Sequence, residues 1–136
     1  MDKEQHVSWS EIDSLIEQLS YLILKSKNKF SSITTLSRGG LVPSRLLADH
    51  LGIEKIFVDE EMISTNSLVV DDIFDSGKTF DKIILKSENP SKLLFATIFA
   101  RRGKKFPSQL IYGKETDNDG YVVFPWDKIE FQTSIK

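Results

Sequence analysis

Two adjacent carboxylates, Asp71 and Asp72, follow the apolar run Leu68-Val69-Val70 and shortly precede the loop Asp75-Ser76-Gly77-Lys78-Thr79. That loop offers backbone N–H groups, the hydroxyls of Ser76 and Thr79 and the ammonium of Lys78 where a helix is about to start. Unpaired donors and the helix dipole favour an anion there. Carboxylates beside a phosphate cradle would repel a bare phosphate. They make sense if they hold the hydroxyls of an attached sugar, or a magnesium ion on the same ligand. The combination asks for a sugar phosphate. Gly77-Lys78-Thr79 also looks like the tail of a nucleotide-triphosphate P-loop, but Asp72 stands where that motif needs its first glycine. A purely structural reading makes Asp75 a helix cap and Ser76-Gly77 turn residues. It leaves two carboxylates at the end of a buried strand unexplained.

Ser37-Arg38-Gly39-Gly40 is a second candidate. Glycines after a strand let the backbone approach a ligand closely and turn N–H groups inward, and an arginine adds bidentate donors for phosphate oxygens. Taken alone it reads as a tight strand-to-helix turn; one strand–helix unit ahead of the sugar-phosphate loop, it reads as a second anion site. Arg101 follows the apolar run Phe95 to Ala100 and so lies at another strand's carboxyl end. Arg102, Lys104 and Lys105 continue a basic cluster that reads as a solvated loop near a polyanionic ligand. Phe124 and Trp126 read as a satellite aromatic core, and His6 and His50 have no metal-ligand spacing.

Val69 to Thr79 resembles the ribose-phosphate signature of type I phosphoribosyltransferases, which use phosphoribosyl pyrophosphate (PRPP). Leu36-Ser37-Arg38-Gly39-Gly40-Leu41-Val42-Pro43 is similar to the pyrophosphate loop of their bacterial xanthine-guanine branch. Val7 to Ile12, Ala96 to Arg101 and Tyr121 to Asp127 match that branch in order and approximate spacing. The resemblance implies an α/β type I phosphoribosyltransferase-like fold with a mainly parallel sheet, a small C-terminal hood and a shortened flexible loop. It implies an Mg²⁺-dependent transfer of 5-phosphoribosyl from PRPP to xanthine, guanine or hypoxanthine. By it, Asp71, Asp72, Asp75, Ser76, Gly77, Lys78 and Thr79 hold the ribose and 5′-phosphate, with Asp72 the magnesium ligand. Ser37, Arg38, Gly39 and Gly40 hold the pyrophosphate, with the Arg38–Gly39 peptide often cis. Asp75 is catalytic, managing the proton on the base nitrogen opposite the attacking one. Tyr121 stacks on the purine, Val122 offers backbone groups to its edge, and Asp127 matches an acid near the exocyclic position or a second metal. Arg101 stands where the family usually has a lysine donating to the exocyclic oxygen, and a planar fork needs different room. A homodimer or higher homo-oligomer is implied as well.

One departure stands out. The family has a long mobile segment before the sugar-phosphate strand, which closes over PRPP. Here only Ile53 to Ser67 is available, and it must also supply a strand at Ile56 to Val58. Since a lid excludes water and completes a site, its loss predicts a slow, leaky transferase, a lid from another subunit, or a non-catalytic PRPP- or nucleotide-binding regulatory protein.

The positioning elements follow from periodicity. Ser8 with Glu11 forms a capping box ahead of Ile12, Leu15, Ile16, Leu19, Leu22 and Ile23 at helical spacing, ending at Lys25 to Lys29. Strands are expected at Ile33–Leu36, Ile56–Val58, Leu68–Val70, Lys92–Ala100 and Tyr121–Phe124. Helices are expected at Leu41–Leu51, stopped by Gly52, and at Phe80–Lys86; Lys114 to Tyr121 reads as polar loop. Alternation of strand and helix over 136 residues indicates one α/β domain, residues 1–136. A net charge of −2 argues against a nucleic-acid binder, and the absence of cysteine excludes disulfides and thiol catalysis. Met1 to His6 lacks the apolar core of a signal peptide and no run approaches membrane-spanning length, so a cytoplasmic protein is expected.

Overall fold

The computed structural model describes residues 3–134. The elements run β1 (Gln5–His6), α1 (Trp9–Lys25), β2 (Ser32–Thr35), α2 (Leu41–Leu51), β3 (Lys55–Val58), β4 (Ser67–Phe74) and α3 (Lys78–Lys86). A 3₁₀ turn (Pro90–Lys92) follows, then β5 (Phe95–Ala100), β6 (Leu110–Glu115), β7 (Val122–Val123) and α4 (Lys128–Ser134). Five strands form a parallel sheet in the order β3-β2-β4-β5-β6, and β1 pairs with β7 in a small parallel ribbon. Helices α1 and α2 pack with a core around Ile12, Ile16, Leu47, Leu68 and Ile98. A second core around Val69, Phe74, Ile83 and Phe95 lies under α3. Sheet faces covered on both sides explain why β2, β5 and the first half of β4 are buried throughout.

Local chemistry sets the helix ends. Ser8 Oγ accepts the Glu11 backbone N–H at 3.1 Å, the expected cap of α1. Gly52 ends α2 with φ 69°, a left-handed conformation that a side chain would strain.

Several expectations need correction. β4 does not stop at Val70: it runs to Phe74, carrying Asp71 and Asp72 within it. Its pairing explains this. β2 accompanies β4 only as far as Val70, opposite Thr35, while β5 continues beside it to Phe74. The carboxylates begin where one neighbour strand ends, which opens that side of β4 to the loop after β2. α3 starts at Lys78, two residues before Phe80, and β5 is shorter than Lys92–Ala100 because Pro90–Lys92 forms the 3₁₀ turn. Lys114 and Glu115 belong to edge strand β6 and not to a loop. Among the described residues no helix is long and apolar enough to cross a membrane.

Candidate active site

The carboxyl ends of β2, β4 and β5 converge, and each delivers part of the site. After β2, the 37–40 turn folds back toward β4. Gly40 is obligatory there: an added Cβ would lie 1.8 Å from Thr35 Oγ1 and 2.7 Å from the Val70 carbonyl. At Gly39 a Cβ would come within 2.9 Å of both Asp72 carboxylate oxygens. The glycines therefore let a backbone turn lie directly against the carboxylate. The cis peptide of this turn is Ser37–Arg38, one residue earlier than the Arg38–Gly39 bond the resemblance suggested. Asp59, just past β3, clamps the turn from outside by accepting the Ser37 N–H at 2.9 Å and the Ser37 hydroxyl. Those bonds hold its carboxyl below the usual carboxylate range. Asp59 falls in the short segment between β3 and β4, and its place directly after a strand is the sequence signal that marks it.

Asp72 lies at the meeting point of three adjoining clefts. One is lined by Arg38, Gly39, Tyr121, Asp127 and Glu130, among others. A second runs from Asp71 along Asp75, Ser76, Gly77 and Thr79. The third lies between Asp75, Arg101, Tyr121, Val122 and Asp127. Burial raises the pKa of Asp72 well above the ordinary value, and the neighbouring Asp71 carboxyl adds to this. Burial raises Asp71 too. Two adjacent half-buried carboxylates favour taking up a proton or a positive charge.

The sugar-phosphate loop reaches α3 through Gly77, which has φ 89° and is the N-cap residue. Gly77 has no side chain to cap the helix, and among the described residues the one side-chain acceptor on a first-turn N–H is Ser76 Oγ, 3.3 Å from the Lys78 nitrogen. The first-turn donors thus point out of the helix with no capping carboxylate upon them, as an anion site requires. Lys78 itself is exposed.

Asp75 and Arg101 meet. Arg101 Nε and Nη2 donate to Asp75 Oδ1 and Oδ2 at 3.2 and 3.3 Å, and Nη1 donates to the carbonyls of Asn118 and Gly120 at 3.1 and 2.9 Å. These hood carbonyls were not anticipated from the sequence, since they carry no side-chain signal. Tyr121, 37% exposed, donates its hydroxyl to Asp127 Oδ2 at 3.2 Å. Burial and the Asp127 charge push its pKa up to about 12, so the donor proton stays on. Asp127 is buried, its pKa is raised by that burial, and its Oδ1 has no hydrogen-bond partner among the described residues. A buried acceptor of this kind expects a donor. Phe124 and Trp126 stack on each other at 4.9 Å and join the main core, not a satellite one, while Trp126 also lines the Arg38–Tyr121 cleft and Phe124 the Arg101–Tyr121 cleft.

α4 closes the far wall. Glu130 forms a 2.8 Å ion pair with Arg38 Nε, and Phe131 stacks on Tyr121 at 6.0 Å between centroids. No sequence signal marks either residue, because this helix buries none of its side chains.

Parallel order, carboxyl-end loops and a small ribbon over them define the type I phosphoribosyltransferase fold, and comparison with solved structures agrees. Helicobacter pylori xanthine-guanine-hypoxanthine phosphoribosyltransferase superposes with a TM-score of 0.74 over 98% of this chain and 100% of that one, at 15% identity. Purine phosphoribosyltransferase from Pyrococcus horikoshii gives 0.72 over 94% and 95%, at 22% identity. In sequence, the chain is similar to the xanthine-guanine phosphoribosyltransferase of Desulfotalea psychrophila, 27% identical over 89% of this chain and 84% of that protein. No family model matches the chain. The resemblance carried by the motifs thus holds over nearly the full length.

Proposed function

We propose that this protein is a purine phosphoribosyltransferase, joining the 5-phosphoribosyl group of PRPP to xanthine, guanine or hypoxanthine with release of pyrophosphate. The observation that carries the reading is the convergence of three clefts on Asp72, one for each part of the reaction. The glycine turn with Arg38 suits the pyrophosphate, the Asp75–Thr79 loop suits the 5′-phosphate, and the Tyr121–Asp127 cleft suits the base.

Asp71 and Asp72 orient the ribose hydroxyls and favour positive charge developing at the anomeric carbon. The 5′-phosphate on the loop of Ser76, Gly77, Lys78 and Thr79 anchors the sugar at a distance from the reacting bond and fixes its orientation. The Gly39 backbone N–H and the Arg38 guanidinium receive the leaving pyrophosphate, on a turn that Ser37 anchors to Asp59 and Gly40 keeps close to β4. Asp75 takes the proton from the base nitrogen opposite the attacking one, a role worth ~10²–10⁴-fold. Tyr121 covers the purine face, Val122 presents its backbone to the base edge, and the unpaired Asp127 Oδ1 accepts from a ring or exocyclic N–H.

Magnesium fits these residues in a particular way. Among the described residues no cluster of three ligating side chains exists. The proton-hungry Asp71–Asp72 pair nonetheless suits an ion bound by one or two carboxylates plus substrate oxygens, the usual habit of Mg²⁺. Asp72 is the ligand we assign, and the ion would neutralise the departing pyrophosphate as a Lewis acid. A homo-oligomer and a cytoplasmic location complete the proposal.

The test is pyrophosphate release from PRPP and magnesium with a panel of bases. Turnover with a 6-oxopurine is expected. Tight PRPP binding with no turnover on any base would make the protein a PRPP-binding regulator instead.

A further inference from the structure

Arg101 is only 8% exposed, and its donors are almost fully committed. A guanidinium carries five N–H groups. Two go to the Asp75 carboxylate and two to the carbonyls of Asn118 and Gly120. The Arg101 backbone N–H is fixed as well, donating to Phe74 O at 2.7 Å. To reach a ligand with its fork, Arg101 would have to release a carboxylate and take its donor from the buried Gly120 carbonyl, the costly kind of loss, although the Asn118 carbonyl would keep the Thr116 hydroxyl at 3.0 Å. Its partners are not incidental. Asp75 opens the sugar-phosphate loop, and Gly120 immediately precedes Tyr121 in the hood. Gly120 has no freedom to move away, since its N–H donates to Asn118 Oδ1 at 2.7 Å and a Cβ there would fall 1.9 Å from the Lys3 carbonyl.

We infer that Arg101 is a positioning residue for the transfer, not a ligand of the purine. It ties the acid–base carboxylate of Asp75 to the loop that carries Tyr121, and so fixes the proton acceptor relative to the ring that covers the base. A planar fork is required, because it must meet a carboxylate with one edge and carbonyls with the other. An ammonium has three donors and no such edges. The residue type at 101, read from sequence as a variant base contact, thus follows from what it holds. This inference rests on the transferase reading above.

The experiment compares Arg101→Lys, Arg101→Gln and Arg101→Ala with the parent chain in steady-state kinetics, with hydrogen exchange followed at residues 76–79 and 120–122. Positioning predicts a kcat lower by about 10²-fold in all three, the order that misplacing a reacting group by an ångström costs. KM for the base should change by less than about 3-fold, since uniform binding is not what is lost. Added guanidinium should partly restore Arg101→Ala, and exchange should quicken in both segments. A KM for the base raised tenfold at unchanged kcat, or full activity in Arg101→Lys, overturns the inference. If Arg101→Ala does not fold, Arg101→Lys and the exposed-side variant Asp75→Asn carry the test, the latter quickening exchange at 120–122 if the link exists. Should the parent turn over no base, the transferase reading fails by itself. The exchange data then still decide the link, which is refuted if either segment is unmoved.

Discussion

At the scale of single residues, the site is organised by what its carboxylates lack. Asp72 has a raised pKa because burial and the Asp71 charge both oppose its ionisation. The folded-state pKa lies above the unfolded value, so the folded form binds more protons. Stability is therefore fullest below the unfolded value near 3.9 and is lost as pH rises through the folded pKa. Asp71 and Asp127, also raised, act in the same direction. Asp72→Asn should consequently raise the melting temperature of the ligand-free protein near pH 7.5, by something on the order of 2–6 °C, with the gain shrinking toward pH 4. The same variant should lose magnesium-dependent PRPP binding. A melting temperature that falls in the variant would show that Asp72 is structurally required and not strained by its charge. Asp75 makes the opposite case. With its side chain 55% exposed and both carboxylate oxygens held by Arg101, Asp75→Asn should bind PRPP within about 3-fold of the parent, while kcat drops ~10²–10⁴-fold. Equal losses in a PRPP binding assay and in turnover would remove its acid–base role.

At the scale of elements, neighbouring glycines predict different failures. Gly40 faces the Thr35 side chain and the Val70 backbone, neither of which can withdraw far, whereas the atoms nearest a Cβ at Gly39 all belong to the Asp72 carboxylate. Gly40→Ala should cost about 1–3 kcal/mol of stability, the range for overpacking, measured by denaturant unfolding. Gly39→Ala should leave unfolding nearly unchanged while displacing Asp72 and weakening PRPP binding with magnesium. The reverse ranking would mean that the turn does not pack as described. α4 offers another contrast. Its Glu130 places a carboxylate on Arg38, and its Phe131 places a ring on Tyr121. A carboxylate and an aromatic ring thus occupy the partners we assign to pyrophosphate and purine. The ion pair is substantially exposed, worth about 0.2–1 kcal/mol. Glu130→Gln should therefore bind inorganic pyrophosphate about two- to five-fold more tightly by calorimetry, most clearly at low salt. Weaker binding in the variant would mean that Glu130 supports Arg38 and does not compete for it.

At the scale of the molecule, legibility in the sequence tracked how local the cause was. α2 was readable to both ends because Gly52 and the apolar spacing are local signals, and the three site loops were readable because each follows a strand with telltale residue types. β6 was missed because Gly113, Lys114 and Glu115 on an edge strand look like loop. β1 escaped because a two-residue pairing is decided only by tertiary contact, and for the same reason β7 covers only Val122–Val123 of the strand expected at Tyr121–Phe124. The full length of β4 was hidden since its second half depends on β5 alone. The Asp75–Arg101 link could not be read either, as nothing in spacing tells which donor a carboxylate meets.

The covering of the site is also a property of the whole chain. Residues 59–66, between β3 and β4, are short and tied down at several points. Ile63 is buried in the core beneath α3; its N–H donates to Lys86 O and its carbonyl accepts from the Glu88 N–H, both at 2.9 Å. Thr65 donates to Glu88 at 3.1 Å, and Asp59 holds the Ser37 turn. A segment so anchored is poorly placed to swing across the sugar phosphate, and a reacting anomeric carbon left in contact with water is open to hydrolysis. Pyrophosphate should therefore be released from PRPP and magnesium without any base, and adding a 6-oxopurine should divert that flux into nucleotide. Counting ribose 5-phosphate against nucleotide by chromatography measures the partition. Release that is strictly base-dependent would show that something does close over the site during turnover. The same partition measured across protein concentration would then reveal whether the cover belongs to a second subunit, because only that arrangement makes hydrolysis rise on dilution.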